Sequence, residues 1–145
     1  MNYKQGSFGR VFILKFDDQD DLLSGIQAVA TRENIRIATV MLLGGLRTAD
    51  MVTGPRETVI PPDPVWQNLA DGREVVGIGT LFRDCDEPVL HLHGAVGRGH
   101  ETLTGCIRKN ASVYLVIEAI IAEIIGIDAH KALDDRTGVK MLELP

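Results

Sequence analysis

The chain has 145 residues, of which 45% are hydrophobic and 24% are charged, and its formal net charge is −5. This size and balance fit one globular domain, residues 1–145, with a core of its own. The acidic charge argues against a dominant nucleic-acid surface, because phosphate binding needs clustered Lys and Arg, and the 15 basic residues are scattered.

Cysteine usage and hydropathy predict a cytoplasmic protein. Cys85 and Cys106 are too few and too far apart for a disulfide framework, so a reducing compartment is the default. The polar residues 1–6 lack the apolar core of a signal peptide. The most apolar stretch, Val113–Ile127, is too short and too charged to span a bilayer.

The first third of the chain predicts a strand, a helix and a second strand. Residues 10–16 are rich in β-branched and aromatic side chains, as in a strand. Four aspartates between 17 and 21 are typical of a helix start, and capping is favoured there over a cation site. Apolar residues at helical spacing follow, predicting an amphipathic helix that ends near Asn34. The apolar run Ile35–Leu43, closed by Gly44-Gly45, predicts a strand buried on both faces.

The next segment predicts two short strands and an irregular loop. Leu46–Thr53 and Glu57–Ile60 have strand composition, with Gly54-Pro55 as the turn between them. The prolines of residues 61–64 break regular structure, so Trp66 is expected in a surface loop.

Asp71-Gly72 predicts a hairpin turn into a strand over Arg73–Phe82. Gly77-Ile78-Gly79 lies inside this strand, and Phe82 stands where a dinucleotide fingerprint needs its third glycine. No phosphate-binding loop follows the later glycines either. A nucleotide site is therefore not expected.

The second half predicts mainly strands. Residues 84–88 form a turn into a strand that carries histidines, and Thr102–Ile107 is expected to pair back. Val113–Ile124 fits a helix or a strand, and its β-branched residues favour a long strand. A loop over 134–138 precedes a last short strand, Val139–Leu144.

Histidines mark the candidate site, because three of the four in the chain fall within residues 90–100. On a strand, His91 and His93 project from the same face with Cα atoms about 6.5–7 Å apart, so both rings can reach one ion. Glycines at 94, 97 and 99 are expected to bend the chain and return His100 to the same place.

The three histidines predict a metal site with an open coordination position. Neutral imidazoles suit zinc, nickel, copper or iron, and three ligands leave room for water or a small ligand. The alternative is a pair of half-exposed strand histidines without a metal. Cys85 and Cys106 are possible further ligands, although such cysteines are more often small buried hydrophobes. His130 lies in a polar segment without a partner histidine.

Six short motifs are spread along nearly the whole chain as landmarks, and the histidine block is the most specific of them. They are Gly9-Arg10-Val11, Gly44-Gly45-Leu46, His91-Leu92-His93, Gly99-His100, Gly105-Cys106 and Asp135-Arg136-Thr137-Gly138. Together these landmarks resemble the plants-and-prokaryotes conserved (PPC) domain family, which is also found in plant AT-hook proteins.

The resemblance implies an α+β fold, in which a mostly antiparallel sheet carries one principal helix, and assembly as a homotrimer. In prokaryotic members of the family three histidines are associated with a bound metal, which carries over to His91, His93 and His100. Zinc is the favoured ion.

Three functions stay open on this reading. The family is often labelled DNA-binding, but in plants the contact comes from an Arg-Gly-Arg-Pro core that this chain lacks. The histidine pattern is also similar to that of acetolactate decarboxylase, a zinc lyase whose metal polarises a carbonyl or carboxylate. Arg98 is a candidate to hold a small anionic ligand there, whereas Glu101 is expected to point away from His100. A metal-stabilised scaffold that binds partners is the third possibility.

Overall fold

The computed structural model describes residues 1–145 as eight strands and one helix. The elements in chain order are β1 (Ser7–Asp17), α1 (Leu22–Arg32), β2 (Ala38–Pro55), β3 (Pro64–Leu69), β4 (Arg73–Asp84), β5 (Glu87–Arg98), β6 (Glu101–Ile125), β7 (His130–Asp134) and β8 (Val139–Glu143). Every strand pair is antiparallel. The predicted class, a mostly antiparallel sheet with one helix, is confirmed.

The helix begins where the aspartates predicted it. Asp21 caps α1, because its side chain accepts a hydrogen bond from the Ser24 backbone N–H at 2.7 Å. Leu22, Ile26 and Ala30 form its buried face and pack into the core. No helix of the structure has the length and apolar character needed to cross a membrane.

Four strands close on themselves around the core. β2 pairs with β4 on one side and with β6 on the other, and β5 joins β4 to β6. β1 extends this barrel along the second half of β6, and β3 extends it along the second half of β2. The closure gathers buried side chains from every strand of the barrel into one cluster with the helix face.

The expectation that Gly44-Gly45 would close a strand is wrong, because β2 runs through both glycines. β6 bulges at this point, and its Leu115 has φ 63°. A Cβ on Gly44, whose φ is +141°, would meet the Val116 carbonyl oxygen at 2.2 Å, and one on Gly45 would meet that of Tyr114 at 2.4 Å. The glycines therefore permit a close strand crossing.

The expectation that residues 35–43 form a strand buried on both faces is also wrong, because β2 is buried on one face only. Val40 and Leu42 lie in the core, whereas Met41 and Leu43 are 46% and 56% exposed. Met41 pairs with Ile78 and Ile120, which are exposed as well. The exposed apolar side chains on this side of the barrel are called the outer patch, and its members are Ile13, Met41, Leu43, Val76, Ile78 and Ile120.

Three expectations for residues 57–72 are wrong. Residues 57–60 form no strand, and the prolines beyond them lack the N–H donors that a ladder needs. Trp66 lies in β3 opposite Val52, not in a loop. Asp71-Gly72 does lead into β4, but it is not a hairpin turn, because β3 and β4 pair with different halves of β2.

The second half contains the expected long strand and one that was not predicted. β6 has 25 residues and includes Val113–Ile124, so the strand reading of that segment is confirmed. β7 was not predicted; it forms a separate two-stranded sheet with β8. The loop expected over 134–138 is the turn that joins these two strands.

One buried charge ties the helix to the barrel. The guanidinium of Arg83, which is 6% exposed, donates to the Ile35 carbonyl at 2.9 Å and to the Ala30 carbonyl at 3.1 Å. A third bond goes to the Asp86 carbonyl. Because carbonyls at the end of a helix carry partial negative charge, the arginine caps α1 without a carboxylate.

Candidate metal centre

His91 and His93 lie side by side on β5, as their spacing predicted. Their Nε2 atoms are 3.1 Å apart, and the ring planes meet at 77° with centroids 4.9 Å apart. They face the same side of the barrel as Thr80 and Ile78, which are their partners on β4. The 3.1 Å between the two Nε2 atoms fits a hydrogen bond between the rings, and it also fits two imidazoles that bind the same ion.

The third potential ligand is Cys106. The β5–β6 pairing places Cys106 directly opposite His93, and its Sγ lies within 4.8 Å of the ring nitrogens of both histidines. The thiol is 4% exposed. Its neighbour Gly105 allows β6 to lie close to β2, because a Cβ there would meet the Val52 carbonyl oxygen at 2.4 Å.

These three atoms fit a tetrahedral ion. Zn–N bonds of about 2.0–2.1 Å and a Zn–S bond of about 2.3 Å require ligand atoms roughly 3.3–3.6 Å apart. The two Nε2 atoms are already near this spacing, and the thiol needs a side-chain shift of about an ångström to reach it. Two imidazoles and one thiolate suit zinc and copper, and they leave one position open.

His100 is not brought to the other two histidines within the chain. It lies in the turn between β5 and β6, and the ladder has six residue pairs, or five steps, from His93–Cys106 to Arg98–Glu101. Five steps of a strand span about 16 Å. The expected glycine bend does not occur, because β5 stays extended; Gly94 is instead packed against Val75 and Ile107.

Arg98 lies at the same distant end. Its Nη1 is 3.3 Å from Asp71 Oδ2, and Asp71 also accepts two hydrogen bonds from Arg73. Glu101 joins this group through a 3.5 Å contact with Arg73. The expectation that Arg98 holds a ligand beside the histidines is not supported by this position. His130, on β7 opposite Glu143, is not part of the metal group.

Burial sets the protonation of the site. Burial, followed by the nearby His93, Lys131 and Arg108, lowers the pKa of His91 and favours its neutral form. Burial also raises the pKa of the Cys106 thiol, an effect that Arg108 opposes. Without an ion, therefore, His91 is ready to ligate at neutral pH while Cys106 must first lose a proton.

Two clefts flank the site, and both are basic. One, of about 720 Å³, is lined by His91, Cys106, Arg108, Lys131 and Lys140 together with apolar side chains. The other, of about 640 Å³, lies between His93, Cys106, Arg108, Lys109 and Trp66. No aspartate or glutamate lines either cleft. In a chain of net charge −5 this is a concentration of positive charge.

A sequence model of the Plants and Prokaryotes Conserved domain matches residues 3–125. No curated protein matches the chain.

The fold is similar to that of several crystal structures. A metal-containing protein from Archaeoglobus fulgidus superposes with a TM-score of 0.84 and 21% identity, over 97% of this chain and 98% of the other. A plant- and prokaryote-conserved protein from Pyrococcus horikoshii gives 0.84 and 20%, over 99% and 97%. A "putative DNA-binding protein" from Ralstonia eutropha gives 0.76 and 17%, over 92% and 90%. At these identities the likeness establishes the fold alone.

Proposed function

The chain belongs to the Plants and Prokaryotes Conserved domain family, and on that premise we propose that it is a metal-binding protein. His91, His93 and Cys106 hold one divalent transition ion, zinc in the first place. The observation that carries the proposal is the convergence of two imidazoles and one thiol within 4.8 Å on adjacent strands. The metal-containing relative from Archaeoglobus supports it. Cys106 must stay reduced to serve, which fits the cytoplasm.

The proposed centre is better suited to binding a ligand than to acid–base catalysis. An ion with an open position would supply Lewis-acid polarisation of a bound carbonyl or carboxylate, as in the zinc lyase that the histidine pattern resembles. A lyase also needs a group that moves protons. No carboxylate lines the clefts beside the site, so this role would fall to a lysine such as Lys131, whose pKa burial lowers. Ligand binding needs no such group, and it is the function that the site supports best.

Metal analysis tests the proposal directly. Protein purified without a histidine tag is expected to contain about one equivalent of transition metal per chain by elemental analysis. Protein that takes up no stoichiometric zinc from a zinc-buffered solution would refute the centre.

The zinc affinity is expected to rise about tenfold per pH unit between pH 7 and 8. The reason is that burial raises the pKa of Cys106, so binding must displace one proton from the thiol, while His91, whose pKa is lowered, is already neutral. As pH falls, protons compete more strongly and affinity drops. Competition titrations with a zinc-sensitive dye would measure this slope. A site made only of imidazoles would instead level off above pH ~6.5.

We also propose that the protein is a homotrimer assembled through the outer patch. Ile13 is 82% exposed, Val76 69% and Ile78 63%, and strand pairing connects these side chains with the rest of the patch. A contiguous apolar surface of this kind marks an interaction site. The stoichiometry of three is the one implied by the family resemblance.

Light scattering at micromolar concentration is expected to give three times the chain mass of 15.8 kDa. Leu43→Glu, within the outer patch, is expected to shift the mass to that of one chain, because the interface would have to bury a charge. Leu133→Glu serves as control, since Leu133 is 64% exposed but lies on β7 outside the patch. A wild-type protein that runs as a monomer would contradict the assembly.

DNA binding is expected to be weak and nonspecific, despite the description of the Ralstonia relative. The net charge is −5, and the basic side chains near the metal centre line concave clefts too small for a duplex. A gel-shift assay with random duplexes near ~150 mM salt checks this. Tight, sequence-selective binding would favour the DNA-binding function instead.

A further inference from the structure

We infer that the cleft between β5, β6 and the β7–β8 hairpin binds a small organic carboxylate, whose anionic group lies between Lys131 and Arg108 beside His91. The inference rests on the proposed metal centre, since it assigns the ligand that the centre's open position faces.

Lys131 is the first observation. It is 9% exposed, yet it has no hydrogen-bond or ion-pair partner in the protein, and its ammonium group lies 5.9 Å from the centre of the Phe82 ring. Burial of the side chain lowers the pKa of its ammonium group. Lys131 lines the cleft, and no carboxylate lines the cleft beside it. An anion bound in the cleft would therefore supply the charge partner that Lys131 lacks within the protein.

The other charges in the cleft point to the same ligand. Arg108 lines it beside Cys106, and both Arg108 and Lys131 are close enough to His91 to disfavour its protonation. Lys140 lines it too, but Asp84 neutralises it at 2.6 Å. A divalent ion held by one thiolate would add a net positive charge to these cations. An anion is therefore the species that this field attracts.

The rest of the lining selects an organic anion over an inorganic one. Four apolar side chains line the same cleft, namely Leu23 from α1, Leu90 from β5 and Val139 and Met141 from β8. A cleft of about 720 Å³ falls within the usual range for a small-molecule site. A carboxylate with a short hydrocarbon body can contact both the cationic and the apolar side chains of the cleft, whereas inorganic phosphate can contact only the cationic ones.

The cations of the cleft come from two parts of the chain. Arg108 lies on β6 within the family match to residues 3–125, whereas Lys131 and Lys140 belong to β7 and β8, which lie beyond it. The ligand assignment thus depends on the C-terminal hairpin as well as on the matched domain.

Calorimetric titration of zinc-loaded protein with acetate, butyrate, hexanoate and inorganic phosphate tests the inference. Affinity is expected to increase from acetate to hexanoate, as more apolar surface is buried, and to exceed that for phosphate. Lys131→Met and Arg108→Gln are each expected to weaken hexanoate binding at least tenfold. Lys140→Gln makes the same charge change in the same cleft, but is expected to alter binding less than threefold.

Elemental analysis of the same samples separates this inference from the metal proposal. Lys131→Met is expected to keep the wild-type zinc content, because the lysine is not a ligand. If the protein holds no zinc but binds hexanoate in a Lys131-dependent way, the metal proposal fails and the carboxylate site stands. The site is refuted if no carboxylate binds, if phosphate binds better, or if Lys131→Met leaves binding unchanged.

Discussion

Replacing Cys106 by Ser is expected to lower the zinc affinity by roughly hundredfold or more, about 2.7 kcal/mol. The hydroxyl keeps the size of the side chain but is a much poorer ligand than a thiolate for a borderline-soft ion. His91→Ala and His93→Ala are expected to abolish stoichiometric binding, because each removes one of only three protein ligands. Elemental analysis after dialysis against a zinc buffer would measure the loss.

The remaining histidines supply the controls. His100→Ala and His130→Ala are expected to retain one equivalent of zinc per chain, since neither side chain lies with the metal group. Circular dichroism would verify that every variant is folded. Loss of metal in His100→Ala together with full retention in Cys106→Ser would show that His100 is the third ligand, as the sequence predicted, supplied across a subunit contact.

Replacing Arg83 by Met is expected to cost about 3 kcal/mol of the free energy of unfolding. The substitution keeps most of the buried hydrocarbon but removes charge-assisted hydrogen bonds to the carbonyls of Ala30, Ile35 and Asp86. Each such bond contributes about 1.5–3 kcal/mol, and the methionine recovers part of the total through apolar burial. Because Arg83 is 6% exposed, water cannot replace the lost donors.

Urea denaturation at one fixed protein concentration would measure this loss, since association changes apparent stability. The control is Arg36→Met, which removes the same charge from an exposed position near the same end of the helix. It is expected to change stability by less than about 0.5 kcal/mol. Equal effects of the two substitutions would mean that the cap at the end of α1 is not stabilising.

Local signals in the sequence were sufficient for most of the elements. The capping aspartate, the helix stripe and the β-branched run of residues 113–124 each act within a few residues, and all three were interpreted correctly. The passage of β2 through Gly44-Gly45 was missed because its cause is not local. Glycine there is required by the backbone of β6, about seventy residues further along the chain.

The site could be predicted only in part for a similar reason. The common face of His91 and His93 follows from strand geometry alone. Cys106 depends on where the β5–β6 turn lies, because a turn at Gly99-His100 aligns Arg98 with Glu101 and hence His93 with Cys106. Treating the glycines of 94–99 as a bend concealed that register. Nothing in the sequence around Lys131 indicates that this residue is buried in the cleft, since its burial depends on how the C-terminal hairpin packs on β4.

β6 pairs with β5 through its first residues and with β2 along most of its length, so the barrel can close only after β6 has formed. The hairpin of β4 and β5 joins neighbouring segments, but the pairs between β2 and β6 join residues 54 (Val52–Cys106) to 85 (Ala38–Glu123) positions apart. Such long-range closure is entropically costly, so folding is slow compared with that of a helical protein of this size. During synthesis, the edge of β2 that pairs with β6 stays unpaired until β6 has left the ribosome. Closure of the barrel also orders Cys106, so the metal ligands meet only when folding is nearly complete.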